Sequence, residues 1–324
     1  MTRIMKPWSK KKFNQSLNKR ITEDLDFVET AENFLLKKRG YVFKQPKAGE
    51  KVILLLSGGI DSTVAWEALI SIYGYQVYPV VIDRGSKRRA RKELSAVKSL
   101  EKYFAKKYPD KYIKPFHLKV NTTPEEFLKI LNPKKIYGGE ILASFNQNKW
   151  LVKDLSNVVL MHTRGVTPYL MPFYGVVYSG YLKLTQGFEI KNIFVGANFT
   201  DGSEVSSQSF TALRSTLLGI CTATGDYSWN FSSVFLERET GVFLEKEGTV
   251  KLGLKFGTPL EKTWSCYRDG LFQCGDACAT CISRKDAFLK LKAQDKTVYM
   301  SDIKNRIVNS FKFHLKQVLR VFGF

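Results

Sequence analysis

The chain is short of acid, has almost no histidine and contains no long apolar run, and each shortage narrows what it can be. No stretch reaches the roughly 18 consecutive apolar residues of a transmembrane helix. The opening Met1-Thr2-Arg3-Ile4-Met5-Lys6 lacks the apolar centre of a secretory signal, so a cytoplasmic location is expected, with no membrane partner. The three histidines, His117, His162 and His314, do not stand at metal-ligand spacing from one another, so a histidine-built metal centre is not expected. The Gly-x4-Gly-Lys-Ser/Thr string of a Walker phosphate loop is missing, as are internal repeats and low-complexity tracts.

What is present points to a packed enzyme-sized fold. The 324 residues are 44% hydrophobic, enough for one large α/β domain with appendages or for two modest domains. The formal net charge is +21, and it is unevenly placed. Residues 84–119 hold 13 Lys and Arg against Glu93, Glu101 and Asp110, and the first twenty residues hold seven basic and no acidic side chains. Such segments read as solvated helix faces, as nucleic-acid contacts or as docking surfaces for an acidic protein, and charge alone does not choose among these.

Residues 1–49 read as a basic N-terminal extension with a helical stretch over 22–39, followed by a connector around Pro46 and Gly49. Lys51 to Leu56 is a short apolar run ending in Ser57-Gly58-Gly59, the pattern of a buried parallel strand entering a loop. An amphipathic helix is expected over 61–73, with Asp61 and Ser62 at its N-cap. A strand over 76–83 follows, with pairing expected to begin after Pro79. A basic helix over about 86–108 and a strand over 116–120 complete β-α-β-α-β, the order of a doubly wound parallel sheet. Farther on, 168–187 reads as a buried helix, 193–197 as a strand, 198–203 as the loop leaving its carboxyl end, and 206–220 as a helix. Residues 225–260 are broken by Gly241, Gly248, Gly253 and Gly257 and give no clear pattern; a helical tail is expected from about 301. The domain reading is therefore an extension over 1–49, an α/β domain over 50–262, a cysteine-bearing subdomain over 263–295 and a tail over 296–324.

Two strings carry chemistry. The first is Ser57-Gly58-Gly59-Ile60-Asp61-Ser62-Thr63, between an apolar strand and a helix. Glycines let backbone approach a phosphate with no Cβ in the way. The helix start supplies free N–H groups and a partial positive charge. Ser57, Ser62 and Thr63 add hydroxyls. The second string places Cys266, Cys274, Cys278 and Cys281 within sixteen residues, with Cys221 apart as a small buried hydrophobe. In a cytosolic chain such a cluster reads as a metal site, one closed tetrahedral Zn²⁺ before an iron–sulfur cluster or a chance grouping of thiols.

The first string resembles the Ser-Gly-Gly-x-Asp-Ser signature of the PP-loop ATP pyrophosphatases, which have the adenine-nucleotide α-hydrolase (HUP-like) fold. That resemblance implies an α/β fold with a doubly wound parallel sheet, and ATP contacts at Ser57, Gly58, Gly59, Ile60, Asp61, Ser62 and Thr63. It also implies catalytic parts for Ser57, Asp61 and Ser62, a role for Asp61 in positioning Mg²⁺, and adenosine contacts at Asp83. Thr263-Trp264-Ser265-Cys266-Tyr267 and the run from Cys274 to Phe288 resemble the C-terminal zinc motif of the QueC (7-cyano-7-deazaguanine synthase) family, and together the motifs span residues 50–290. The resemblance implies a small C-terminal zinc subdomain. It also implies activation of a carboxylate, 7-carboxy-7-deazaguanine or a related purine-like base, as its adenylate, with capture by ammonia or another amine.

Three departures mark a divergent paralogue. One gap of the cysteine motif holds Gly275, Asp276 and Ala277, where the family has two residues. Thr167-Pro168-Tyr169-Leu170-Met171 stands where the family has Val-Pro-x-Arg-Asn. After Asp201 and Ser203, the two expected substrate contacts, the chain reads Glu204-Val205-Ser206-Ser207-Gln208 in place of the family's base-holding Tyr-Pro-Asp-Cys-Arg. QueC-like proteins also occur in bacterial anti-phage operons, where the amine acceptor could sit on a protein or nucleic acid. The family's enzymes are often homodimers. A PP-loop tRNA-modifying enzyme and a non-catalytic nucleotide- or nucleic-acid-binding homologue are the competing readings.

Overall fold

The computed structural model describes residues 9–17, 22–83, 89–120, 155–204, 206–267 and 270–305, with the side chains of 89–90, 155–169, 202–204 and 206 left aside. The expected substrate contact at Ser203, the departure from the family pattern at Thr167, Pro168 and Tyr169, and the tail beyond residue 305 fall on side chains or segments outside the described residues.

β1 (Lys51–Leu55) is the axis of the fold. Its side chains alternate between two cores, Val52 and Leu54 in one, Ile53 and Leu55 in the other. A strand buried on both faces has no solvent side to pattern, which is why it reads as an unbroken apolar run. β2 (Gln76–Asp83) pairs with β1, and β3 (Phe116–Lys119) pairs with β2, all parallel. The chain then crosses to the other side of β1. There β4 (Asn192–Val195) and β5 (Asn230–Ser233) continue the parallel set, and the short β6 (Leu236–Glu237) and β7 (Val242–Phe243) close it antiparallel. The sheet order is β3-β2-β1-β4-β5-β6-β7, and the order reverses between β1 and β4. In open α/β sheets the crevice at such a reversal, beyond the carboxyl ends of the strands, is where ligands bind.

Helices cover both faces. α1 (Lys10–Leu17), α2 (Leu25–Arg39), α5 (Leu155–Gln186) and α7 (Phe210–Thr224) contribute to the same core as Ile53 and Leu55. The opposite face is covered by α3 (Ile60–Ser71), α4 (Arg89–Lys107), α8 (Lys246–Phe256) and α9 (Ala279–Lys290). A short α6 (Phe199–Glu204) follows β4. The doubly wound α/β architecture expected from the sequence is therefore present.

Four local expectations need correction. Pro79 lies inside the paired part of β2, opposite Leu54, and pairing starts at Gln76. Val80 turns its backbone to β1, accepting from Leu56, so Pro79 faces the β3 side, where pairing begins only one residue later. Its missing N–H therefore costs no ladder bond. The N-cap of α3 is Gly59, with no side-chain capping bond, so Asp61 and Ser62 sit in the first turn. Residues 199–204 form α6 instead of an open loop. α5 is buried on one face only: Tyr178 and Leu182 join the core, while Val177, Tyr181 and Leu184 are exposed.

The N-terminal segment is tied into this body. Phe13 and Leu17 are fully buried, and the Phe13 ring meets Phe210 at 4.7 Å and Phe243 at 5.6 Å. The carboxylate of Glu23 accepts from the Phe210 and Thr211 amides at the start of α7, at 3.0 and 2.9 Å. Deeper in, Arg214 of α7 donates to Glu32 of α2 at 2.9 Å and to both oxygens of Glu237 of β6 at 2.9 and 2.8 Å. Burial works against the Arg214 charge, but Glu237 and Glu32 outweigh it and raise its pKa. Substitution of Phe13 by Ala is expected to lower the unfolding free energy by about 3–5 kcal/mol in denaturant titrations. A loss under about 1 kcal/mol would make α1 peripheral.

Candidate functional site

The loop after β1 is shaped by its neighbours. Gly58 has φ +75°, and a Cβ there would stand 2.8 Å from the Glu93 carbonyl of α4. Both the left-handed backbone and the contact demand glycine. Ser57 N–H donates to Ser62 Oγ at 3.1 Å, and the two hydroxyl oxygens are 3.0 Å apart. Thr63 is buried and its hydroxyl donates to the Gly59 carbonyl at 2.7 Å. Ile60 turns its side chain into the core, leaving only backbone for a ligand. Ser57 remains exposed. The result is a tight turn closed by hydroxyls, opening onto a helix start that no side chain caps. Such a start favours an anion.

β4 reaches the same place from the other side of the crevice. Gly196 lies so close to the first turn of α3 that a Cβ would be 2.6 Å from the Ser62 nitrogen and 2.7 Å from the Asp61 carbonyl carbon. Beyond it, the fully buried Asn198 donates from Nδ2 to Asp61 Oδ1 at 2.9 Å. The Asp201 N–H donates to Asn198 Oδ1 at 3.0 Å. The other Asp61 oxygen is ion-paired with Lys246, the first residue of α8. Lys246 is 8% exposed. Desolvation pulls its pKa down, but Asp61 and then Asp201 outweigh burial, so the net shift is upward and the ammonium is charged.

Thus the structure brings Ser57, Gly58, Gly59, Asp61, Ser62 and Thr63 together at the switch point, with Asp201 beside them through Asn198 and Lys246. Asp83 ends β2, opposite Lys119 on β3, on the other side of β1 from Asp201. Sequence reasoning missed Lys246 and Asn198 as site residues. Lys246 lies in the glycine-broken stretch that gave no clear pattern, and Glu245-Lys246-Glu247 looks like an ordinary charged helix start. The one available signal was a lysine at a helix N-terminus, where the helix dipole disfavours a cation.

The four cysteines also converge. Their sulfurs all lie within 4.8 Å of one another, with Cys266 Sγ to Cys278 Sγ at 3.9 Å and Cys274 Sγ to Cys278 Sγ at 3.4 Å. Four thiolates about 2.3 Å from one tetrahedral ion would stand about 3.8 Å apart, so the set fits a single metal ion. Cys266, Cys278 and Cys281 are buried, and the free Cys221 is buried elsewhere in the core. The module is fastened by the fully buried Arg284 of α9. It donates to Asp295 at 2.8 and 3.0 Å, to Thr263 Oγ1 at 2.8 Å and to the Leu260 carbonyl at 2.9 Å. From there Trp264 links the module to the loop. Its backbone N–H donates to the Gly58 carbonyl at 2.9 Å, and its indole N–H donates to the Cys266 carbonyl at 3.0 Å.

Comparison with known proteins places relatives beside this geometry. Residues 175–292 match the family profile described as queuosine biosynthesis protein QueC. The 7-cyano-7-deazaguanine synthase of Thermoplasma acidophilum is 26% identical over 77% of this chain and 92% of its own length. That of Archaeoglobus fulgidus is 27% identical over 79% of this chain and 93% of its own length. A structure described as the U34-tRNA thiolase NcsA from Methanococcus maripaludis with its [4Fe-4S] cluster aligns over 81% of this chain and 70% of its own, at 13% identity and a TM-score of 0.35.

Three outcomes are expected from the site. Gly196→Ala, which drives a methyl into the α3 backbone, is expected to abolish pyrophosphate binding at the loop in calorimetry, while Gly180→Ala, with nothing within 4 Å, leaves it unchanged. Chelation of a metal loaded onto the four cysteines is expected to lower the melting temperature and to weaken pyrophosphate binding at the loop, because Trp264 carries the module's order to Gly58; unchanged binding by metal-free protein would break that link. Asp295 has its pKa held down to about 2, since Arg284 and Tyr299 outweigh the opposing effect of burial. A carboxylate depressed in the folded state stabilises above its unfolded pKa and loses that contribution as pH falls. Asp295 should therefore contribute about 2 kcal/mol that disappears between about pH 4 and pH 2. Asp295→Asn removes that part of the pH dependence in acid unfolding curves.

Proposed function

We propose that this chain, a QueC-like family member, is an ATP-dependent synthase or ligase that activates a carboxylate as its adenylate and passes the acyl group to an amine. One observation carries the reading: an uncapped helix start and a glycine turn, closed by Ser57 and Ser62, stand at the switch point beside the Asp61–Asn198–Lys246 cluster. That arrangement suits a nucleotide's phosphates, with fixed N–H dipoles and a cation at hand. In this reading the loop residues Ser57 to Thr63 hold the phosphate chain and Asp83 lies toward the adenosine. Asp201 and Ser203 are the proposed contacts of the carboxylated base. Asp61 would hold Mg²⁺, which shields the phosphate oxygens when bound.

The chemistry balances in two steps. A carboxylate oxygen forms a bond to the α-phosphorus, and the bond from that phosphorus to the bridging oxygen breaks, releasing pyrophosphate. An amine nitrogen then bonds to the acyl carbon and gives up a proton, and AMP leaves with the oxygen that had been the substrate's. The cysteine set would hold Zn²⁺ as a closed structural site. A four-iron cluster puts each thiolate on a different iron, which needs wider spacing than sulfurs 3.4–3.9 Å apart.

The substrate is a carboxylated purine-like base of the 7-carboxy-7-deazaguanine type. The acceptor is ammonia or an amine carried on a larger molecule. Exposed Arg91, Lys98, Lys102 and Lys106 on α4, which starts beside Gly58, support the latter by offering a cationic approach to the loop. Incubation with ATP, Mg²⁺, ammonia and 7-carboxy-7-deazaguanine, followed by mass spectrometry, is expected to show base-dependent AMP and an amidated or dehydrated base. The rate should fall at least about 100-fold in Asp61→Ala. AMP formation indifferent to any carboxylate, or an active Asp61→Ala variant, would overturn the reading.

A further inference from the structure

The buried charge at the site is placed against two physical preferences. Lys246 is the first residue of α8, where the helix dipole opposes a cation, and it is nine-tenths out of water. Its backbone is pinned there. The Lys246 N–H donates to Thr200 Oγ1 at 3.1 Å, and the Phe199 N–H donates to the Leu244 carbonyl at 2.8 Å. The chain that carries Asp201 thus fixes where the ammonium can reach. Its carboxylate partner Asp61 belongs to the phosphate loop and is 20% exposed, so the pair borders the crevice instead of being sealed in the core.

Other buried charges in the molecule show what a purely structural solution looks like. Glu67 is fully buried and accepts from Tyr103, Tyr108, Lys107 and Thr258. Arg284 is saturated by Asp295, Thr263, Thr297 and Leu260. Among the described residues, the ammonium of Lys246 makes one hydrogen bond, to Asp61. An ammonium has three donors. A buried cation with one partner, at the rim of an anion-binding turn, has bonds left to make.

We propose that Lys246 is a built-in cation of the phosphate site. It neutralises Asp61 while the site is empty, and it moves to the phosphate oxygens when a divalent cation arriving with the nucleotide takes over Asp61. This deepens the proposed function and rests on its nucleotide reading of the loop. The exchange keeps Asp61 paired in both states, by Lys246 before binding and by the divalent cation after it. It also explains why an ammonium is kept where a neutral side chain would fold better. Tyr267 and Asp201 are the other charged or titratable groups that act on Lys246, and neither needs to move.

The exchange makes Lys246 a competitor of free metal and a helper of metal–nucleotide, two effects of opposite sign. The experiment measures Mn²⁺ binding by electron paramagnetic resonance and Mg–ATP binding by calorimetry, on full-length wild type, Lys246→Met and Lys246→Arg, with thermal melts to confirm folding. Lys246→Met is expected to bind Mn²⁺ alone about tenfold more tightly, because its rival on Asp61 is gone. The same variant should bind Mg–ATP at least about tenfold more weakly, because a charge-assisted phosphate contact is lost. Lys246→Arg should stay within about threefold of wild type on both. A role confined to packing would leave Mn²⁺ affinity unchanged or reduced. That result, or unchanged Mg–ATP affinity in Lys246→Met, overturns the exchange while leaving ATP binding by wild type intact. Failure of wild type to bind Mg–ATP overturns instead the nucleotide reading on which the exchange rests.

Discussion

Everything functional in this molecule depends on how closely backbone can approach the first turn of α3. Gly196 meets that turn from β4 at a distance no side chain allows, Gly58 meets α4 from below, and Trp264 holds the Gly58 carbonyl from the cysteine module. Three separate parts of the chain thus fix a turn of a few residues. The doubly wound sheet explains why they meet there, since β1 and β4 are neighbours whose following loops diverge at the switch point. A helix start fixed this firmly keeps its N–H groups aimed before any ligand arrives, which is the condition for binding charge without reorganisation.

Rigidity of this kind draws on the buried ion pairs. The Arg214–Glu237–Glu32 set joins α2, α7 and β6 on one face, and Glu67 joins α3 to α4 and the Thr258 turn on the other. Around Glu67 the pairing is tight enough to push Tyr108 up to about 12, through burial first and then the carboxylate. Arg284 does the same for the C-terminal module. Breaking a buried pair by removing one member costs about 3–5 kcal/mol, so each acts as a lock. The Asp61–Lys246 pair differs by standing open to the crevice, and that difference separates a device from a lock.

Much of the scaffold was legible because its physics is local. The apolar runs at Lys51–Leu55 and Gln76–Asp83, the glycine turn between strand and helix, and the cysteine spacing each follow from periodicity or ligand geometry. What escaped was set by distant neighbours. Pro79 looked like a barrier to pairing, yet it faces a side where no partner strand has begun. Asp61 and Ser62 looked like caps, but the contact at Gly196 and the bond to Ser57 draw them into the helix. Lys246 carries no local mark of burial; its environment comes from Asp61, 185 positions away in sequence. Likewise, nothing in the basic residues of α1 announces that Phe13 fills a gap between Phe210 and Phe243.

The central claim is that a carboxylate attacks the α-phosphorus of ATP held at this loop. It is tested most directly with a substrate carboxylate labelled with ¹⁸O, in turnover with Mg²⁺ and ammonia, by following the label into AMP. One labelled oxygen in the AMP phosphate, with none in pyrophosphate, is the result this account predicts. AMP free of label, or ADP in its place, would contradict it.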